Sequence, residues 1–446
     1  MSPPHTSQRY QDSHKHEQSD SLMKPSTGRM KVALALVYFL FAILLNSVGT
    51  VILQVILTFG VEKGHASVLE GFKDITIAVA SFLIAPYLPR LGYKKALMGA
   101  VALVGGACCI MPLFPSFGTT KILFFLCGFA FAFAKVSIYA SVGLVTDNPR
   151  EHAKFMSTVE GLFMVGVLSG YWIFGYFIDS KNPASDGWLQ VYWWLSGLCL
   201  LIFAIVASTP FVDSTPDKPS NFSEDFTAML QLMARPLILI FIASAFMYVL
   251  IEQGIGTWLP TFNNEILGIP SAMSVQVTSI FAACLAFGRL SAGPILQRFG
   301  WYPVLNVALV AMGALVLVTL PLTEGLEKDP SMTWSTAPIA AFIFPVIGLF
   351  MSPIYPALSS VMLSSLPKHM HSSMTGLIVI FSALGGTTGS IITGHVFEQY
   401  SGQTAFYFAL IPIVGLLVTI FFFNRATVRA RAKLVESAAS PSEPTR

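Results

Sequence analysis

Twelve stretches of about twenty mostly apolar residues, each long enough to cross the hydrocarbon core of a bilayer, recur along this 446-residue chain. They fall at approximately 34–58, 67–89, 96–115, 122–146, 155–178, 190–211, 236–260, 273–296, 302–322, 337–364, 373–395 and 404–424. Lipid offers a backbone no hydrogen-bond partners, so continuous apolar runs of this length must satisfy their peptide groups internally, as α-helices. Charged residues make up only 11% of the chain, against about a quarter in a soluble domain. So few charges cannot build a water-facing surface. The predicted fold is all-α and polytopic, with twelve transmembrane helices.

The first 29 residues are polar, with no apolar core of a cleavable signal before Lys31. They read as a disordered tail, 1–30. The widest polar gap, 212–234, carries Asp213, Pro216, Asp217, Lys218 and Pro219 and divides the spans six and six. The predicted units are therefore a bundle at 31–211, a linker at 212–234, a second bundle at 235–424 and a tail at 425–446. Lys and Arg set the orientation. With the N-terminus inside, the cytoplasmic side receives Arg90, Lys94, Lys95, Arg150, Lys154, Arg235, Arg298, Lys368, Arg425 and Arg429. The outside receives Lys63, Lys121, Lys181 and Lys328, with Lys73 near that boundary. Both termini are expected in the cytoplasm, and the plasma or bacterial inner membrane is the default location.

Several function classes find no support. A net charge of +3 makes no case for nucleic-acid binding. The five cysteines sit in apolar stretches without metal-ligand or disulfide-framework spacing. No Walker A lysine motif, metal cluster or nucleophile–base pattern stands out, so an enzyme, a resident cofactor, a metal and direct ATP drive are not expected.

Ionisable side chains within hydrocarbon are costly, and each is a functional candidate by default. Lys135 lies midway through span four, with Tyr139 at i+4 on the same face. It reads either as a cation facing a substrate or as a structural partner of Glu160 on span five. Glu252 lies in span seven, with Tyr248 at i−4 and Trp258 toward the outer end, and Asp74 lies in span two beside Glu70 and Lys73. Both carboxylates are candidates for proton coupling. Arg289, in span eight, is a candidate for a conformational gate. Polar stripes add Asn46, Thr50 and Gln54 on span one, and Ser352, Tyr355 and Ser359 on span ten; helix–helix hydrogen bonding is the competing explanation. The pairs Gly254/Gly256 and Pro353/Pro356 are expected to soften spans seven and ten.

One segment repeats. Pro86, Leu88, Arg90, Gly92 and Leu97 reappear 208 residues later as Pro294, Leu296, Arg298, Gly300 and Leu305, each copy ending a second span of six. Parallel six-helix halves are a transporter architecture. The turn holding Arg90, Gly92, Lys94 and Lys95 resembles the loop between the second and third spans of the major facilitator superfamily, and the resemblance covers about 31–424. The sequence departs from that loop at its acidic position, where Pro89 and, in the second half, Gln297 stand. More narrowly, Tyr248–Leu259, Ser352–Pro356 and Leu384–Gly389 are similar to the fucose permease-like sugar:proton symporters. Lys135 and Tyr139 stand where those proteins carry an acid and an asparagine.

The resemblance implies two six-helix bundles rocking about a central site lined by spans one, four, seven and ten. It implies a membrane-embedded, functionally monomeric carrier that takes a small solute together with a proton. The expected substrate contacts are Asn46, Gln54, Lys135, Tyr139, Tyr248, Glu252, Trp258 and Tyr355. Coupling falls to Glu252 and Asp74, and the loop and gate to Arg90, Gly92, Lys94, Arg289, Arg298 and Gly300. A sugar-like substrate follows from the permease resemblance. Lys135 argues for an organic anion or zwitterion, and the aromatic content of 13% leaves efflux of amphipathic compounds open.

Overall fold

The computed structural model describes residues 7–84, 87–142, 144–146, 149–211, 227, 230–326, 328–366 and 370–439. Among the described residues, eleven helices are long and apolar enough to cross a membrane: α1 (Thr27–Phe59), α3 (Tyr93–Leu113), α4 (Phe117–Val142), α5 (Lys154–Phe177), α6 (Asp186–Ser208), α7 (Pro236–Glu265), α8 (Ser271–Phe299), α9 (Trp301–Thr323), α10 (Ala340–Ser364), α11 (Met374–Gln399) and α12 (Gly402–Val428). Between the first two lies α2 (Val68–Ile84), 17 residues long and charged at Glu70, Lys73 and Asp74. With it, the chain has the twelve spans that its apolar runs predict. Lys73, placed near the outer boundary on sequence grounds, lies in the second turn of α2 with its side chain buried against neighbouring helices.

Helix extends beyond the spans at both ends, from Ser7 into α1 and from α12 to Ala439. The segments read as tails at 1–30 and 425–446 thus hold helix where they are described. The linker at 212–234 lies mostly outside the described residues.

The two halves pack alike. In the first, α1 lies on α5, α2 on α4, and α3 on both α4 and α6. In the second, α7 lies on α11, α8 on α10, and α9 on both α10 and α12. Adding six to each number converts one set into the other. The seam between halves obeys the same rule, with α2 against α11 and α8 against α5. The repeated turn is the local mark of this symmetry. Gly92 (φ 84°, ψ 130°) and Gly300 (φ 77°, ψ 158°) take matching left-handed conformations between spans two and three of each half, conformations that a side chain strongly disfavours.

Close helix contact uses small residues, because apolar side chains gain little by leaving equally apolar lipid. A Cβ on Gly389 of α11 would stand 2.2 Å from the Leu250 carbonyl oxygen of α7, and one on Gly385 would stand 2.4 Å from that of Phe246. The outer faces keep large apolar residues in the open, such as Leu200 at 71% exposure and Val307 at 67%, as a lipid-facing surface requires. The expected softening of spans seven and ten is visible. α7 breaks between Gly256 and Leu259. α10 is divided into short α and 3₁₀ pieces around Pro345 and Pro353.

Candidate functional site

A cavity of about 360 Å³ lies between the halves, within the range of small-molecule sites. Its wall draws on α1, α2, α4 and α5 from one half and on α7, α8, α10 and α11 from the other. Of the residues expected at the substrate, Asn46, Lys135, Glu252 and Tyr355 reach this wall, and so do Asp74 and Arg289.

Lys135 carries the most unbalanced charge. Its ammonium lies 5.8 Å from the centre of the Phe131 ring and 6.0 Å from that of Tyr139. Among the described residues, no carboxylate forms an ion pair with it at 4.0 Å or less. The structural partner considered for it, Glu160, is not within ion-pair distance. Glu160 Oε1 accepts hydrogen bonds from the hydroxyls of Tyr38 at 3.1 Å and Tyr139 at 2.5 Å. Tyr139 is thus bonded to Glu160 and does not form part of the cavity wall.

The other cavity charges are matched. Arg289 Nη2 stands 3.4 Å from Glu252 Oε1, and its Nη1 contacts Met164 Sδ of α5 at 3.5 Å. Asp74 Oδ1 stands 3.4 Å from Lys73 Nζ. That ammonium also donates to Glu70 Oε1 at 2.5 Å, and Glu70 has no exposed surface. Glu70 in turn reaches the opposite half, accepting from Gln253 Nε2 at 2.6 Å and Thr257 Oγ1 at 2.9 Å. Every lone pair a buried carboxylate leaves unsatisfied costs desolvation free energy, and Glu70 is satisfied from both sides of the seam.

Three expected contacts lie behind the wall. Tyr248 is buried and stacks on Tyr355 with ring centres 5.7 Å apart, and the Tyr355 hydroxyl meets Ser382 Oγ at 3.1 Å. Trp258 is fully buried, its indole N–H donating to the Ser390 carbonyl at 3.0 Å. Gln54 is buried with its side-chain nitrogen unpartnered, as is the Thr50 hydroxyl. The polar stripe of span one thus faces the cavity only at Asn46, where α1 still borders it. Farther along, the helix runs into the sealed seam.

In the repeated turns, Arg90 and Arg298 are exposed. Arg298 lies over Phe299 at 5.3 Å. Lys94 donates to the Ala207 carbonyl at the end of α6, 2.7 Å away, where a cation complements the helix dipole. Glu70, Lys73, Gln253 and Ser382 were not singled out from sequence. Glu70 and Lys73 had a legible trace, an opposite-charge pair at i and i+3 inside an apolar span.

The half-to-half seam is bonded at one end. At the end away from the termini, Lys63 pairs with Glu265 at 3.1 Å, the Gly64 amide donates to Glu398 at 2.6 Å, and the Ala272 amide donates to Ser180 at 3.1 Å. None of these three bonds lies at the end bearing the termini.

The sequence profile described as the Major Facilitator Superfamily matches residues 34–389. The chain is 25% identical over 242 residues to "MFS transporter asaE" of Aspergillus flavus, covering 53% of this chain and 51% of that protein. It is 27% identical over 178 residues to the "Citrate-proton symporter" of Klebsiella pneumoniae, covering 39% and 38%. The chain thus spans about half the length, or less, of these two curated relatives. Among solved structures, a point mutant of the nucleoside transporter NupG superposes with TM-score 0.70 at 14% identity, covering 88% of this chain and 99% of that one. A point mutant of the E. coli fucose:proton symporter FucP superposes with TM-score 0.57 at 16% identity, covering 90% and 99%. Profile, helix pairing and superposition agree: this multi-pass membrane protein belongs to the Major Facilitator Superfamily.

Proposed function

We propose that the chain is a secondary active transporter that moves a small organic anion or zwitterion by alternating access, together with a proton. The observation that carries this reading is Lys135, an ammonium on the cavity wall without a carboxylate partner. A lone cation at mid-bilayer depth is unfavourable by at least a few kcal/mol, unless water or an anion meets it. A substrate carboxylate would supply the missing charge, with Asn46, Tyr355 and Ser382 available as neutral hydrogen-bonding groups. Such a ligand suits the citrate–proton activity named for one relative.

Glu252 and Asp74 are the coupling groups in this reading. Each faces the cavity and shares one cation at 3.4 Å, so each can exchange that cation for a proton when the helices move. The closed end away from the termini and the open end beside them correspond to a carrier open to the cytoplasm, with both termini on that side.

A neutral sugar is the second reading, supported by the Tyr248–Tyr355 stack beside Ser382. Proteoliposomes decide between the two. Uptake and internal acidification are measured with small carboxylates and neutral sugars side by side, in the parent and in Lys135→Ala. Carboxylate uptake that falls more than about tenfold in Lys135→Ala, a loss on the order of 1.4 kcal/mol or more, is the expected result. Sugar uptake that survives Lys135→Ala would reject the anion reading.

A further inference from the structure

Arg289 is held loosely on both sides. Its contact to Glu252 within its own half is long, at 3.4 Å, and its side chain is 42% exposed. Its other nitrogen already reaches across the seam to Met164 of α5. Met164 and Glu160 stand at i+4 and i on one face of α5, so Glu160 lies one helical turn, about 6 Å, nearer the end bearing the termini. The Glu160 carboxylate is half prepared for a cation. Tyr38 and Tyr139 both donate to Oε1, and among the described residues Oε2 accepts no hydrogen bond. Two hydroxyls fixing one oxygen orient the carboxylate and leave the other free for a bidentate-capable guanidinium.

The arginines of the repeated turns, at the end where Glu160 lies, do not take this role. Arg90 and Arg298, the arginines of the repeated turns, have no carboxylate partner among the described residues. The opposite end is closed by bonds that join a charged group of one half to polar groups of the other, as Glu70 does with Gln253 and Thr257. Alternating access requires a bonded seam at each end in turn.

We propose that Glu160 receives Arg289 when the end bearing the termini closes. Arg289 moves one turn along α5, leaving Glu252 and crossing from the second half to the first. Its departure frees Glu252 as the cavity comes to face the opposite side, which ties closure to the group assigned to coupling. This rests on the alternating-access reading above.

The test needs no substrate. In the full-length chain with its five cysteines replaced, Val379→Cys places one thiol on the cavity wall. Membrane-impermeant thiol reagents are applied separately from each side of oriented vesicles. Glu160→Gln is expected to lower labelling from the side away from the termini by at least about fivefold, the lower range of coupling between sites, and to raise it from the other side. Arg289→Gln is expected to do the same. The exchange Glu160→Arg with Arg289→Glu is expected to restore the parent ratio, which a merely structural role for either residue would not do. Tyr38→Phe with Tyr139→Phe, which keeps the rings and removes both hydroxyls, is expected to shift the ratio in the same direction if Glu160→Gln does not fold. An unchanged ratio in the single variants, or a shift the exchange fails to reverse, overturns the proposal. A parent thiol labelled from one side only overturns alternating access itself, a different failure from an unchanged ratio in a parent that labels from both.

Discussion

The two ends of the seam between the halves differ in kind. Away from the termini, the closure is made of charge-assisted bonds buried in apolar surroundings, with Glu70, Lys73, Gln253 and Thr257 at its centre and Lys63–Glu265 at its rim. At mid-depth, toward the termini, the halves meet through a single weak contact from Arg289 to the Met164 sulfur. A seam of greasy side chains would hold both ends alike, since apolar contact is non-directional and lipid competes for it. Directional bonds hold only when donor and acceptor align, so they can be complete at one end and absent at the other. The difference teaches that the state of this molecule is recorded in its polar seam, while its apolar surfaces keep each six-helix bundle intact.

The largest expected effect comes from removing the centre of the closed end. Glu70→Ala leaves the Lys73 ammonium buried with Asp74 at 3.4 Å and the Leu45 carbonyl at 3.5 Å, and removes the carboxylate that Gln253 and Thr257 donate to. Breaking one partner of a buried pair costs about 3–5 kcal/mol. The detergent-solubilised variant should lose most of its folded yield and show a clearly lowered unfolding temperature. Glu160→Gln, at the open end, should leave that temperature nearly unchanged. Equal losses at both ends would erase the comparison.

Next is the rigidity of a bundle against the freedom of the seam. Gly389→Val drives two methyl groups into the Leu250 carbonyl, which a Cβ alone would meet at 2.2 Å. Overpacking of this kind costs about 1–3 kcal/mol. It should lower thermal stability without changing which side labels a cavity thiol, because α7 and α11 belong to the same half. A change in sidedness would mean that the halves do not move as units.

The symmetry between the halves can be tested at a smaller scale. Gly92→Ala and Gly300→Ala each force a side chain into a left-handed extended conformation, a strain of about 1–3 kcal/mol. The two should destabilise by similar amounts. If only one does, the repeat is a trace of sequence without shared structural demand.

The architecture was readable because lipid leaves little choice. Runs of apolar residues fixed the twelve spans, and the Arg90/Gly92 and Arg298/Gly300 pairs revealed the repeat that the glycine dihedrals and helix pairings display. The site was legible in part. Lys135, Glu252, Asp74 and Arg289 stood out because a charge in a span is rare and must face something other than lipid. Gln54, Trp258 and Tyr248 were read as contacts since they share faces with residues that do reach the cavity. A helical face, however, continues past the cavity into the seal, and periodicity cannot say where one ends and the other begins. Glu70 and Gln253 were missed for the converse reason: their importance lies in a partner on the other half, 183 positions apart in sequence.

The smallest effect concerns the rim of the closed end. Trp172 of α5 stacks on Trp334 in the loop before α10, ring centres 5.8 Å apart and planes within 3° of parallel. The stack crosses the seam, and both rings are partly exposed, at 50% and 40%. The loop that presents Trp334 is locally ordered. Asp329 Oδ1 accepts from the Ser331 hydroxyl at 2.6 Å and amide at 2.8 Å, bonds that hold this carboxyl below the usual range. An aromatic pair is worth about 0.5–1.5 kcal/mol beyond its buried area, less than the buried bonds around Glu70. Trp334→Ala should therefore speed opening at this end modestly, raising thiol labelling of the cavity from that side by a few-fold, with no loss of folded yield. Labelling that rises as much as in a Glu70 variant would place the main closure at the rim. The buried charge cluster would then be a support for α2 alone.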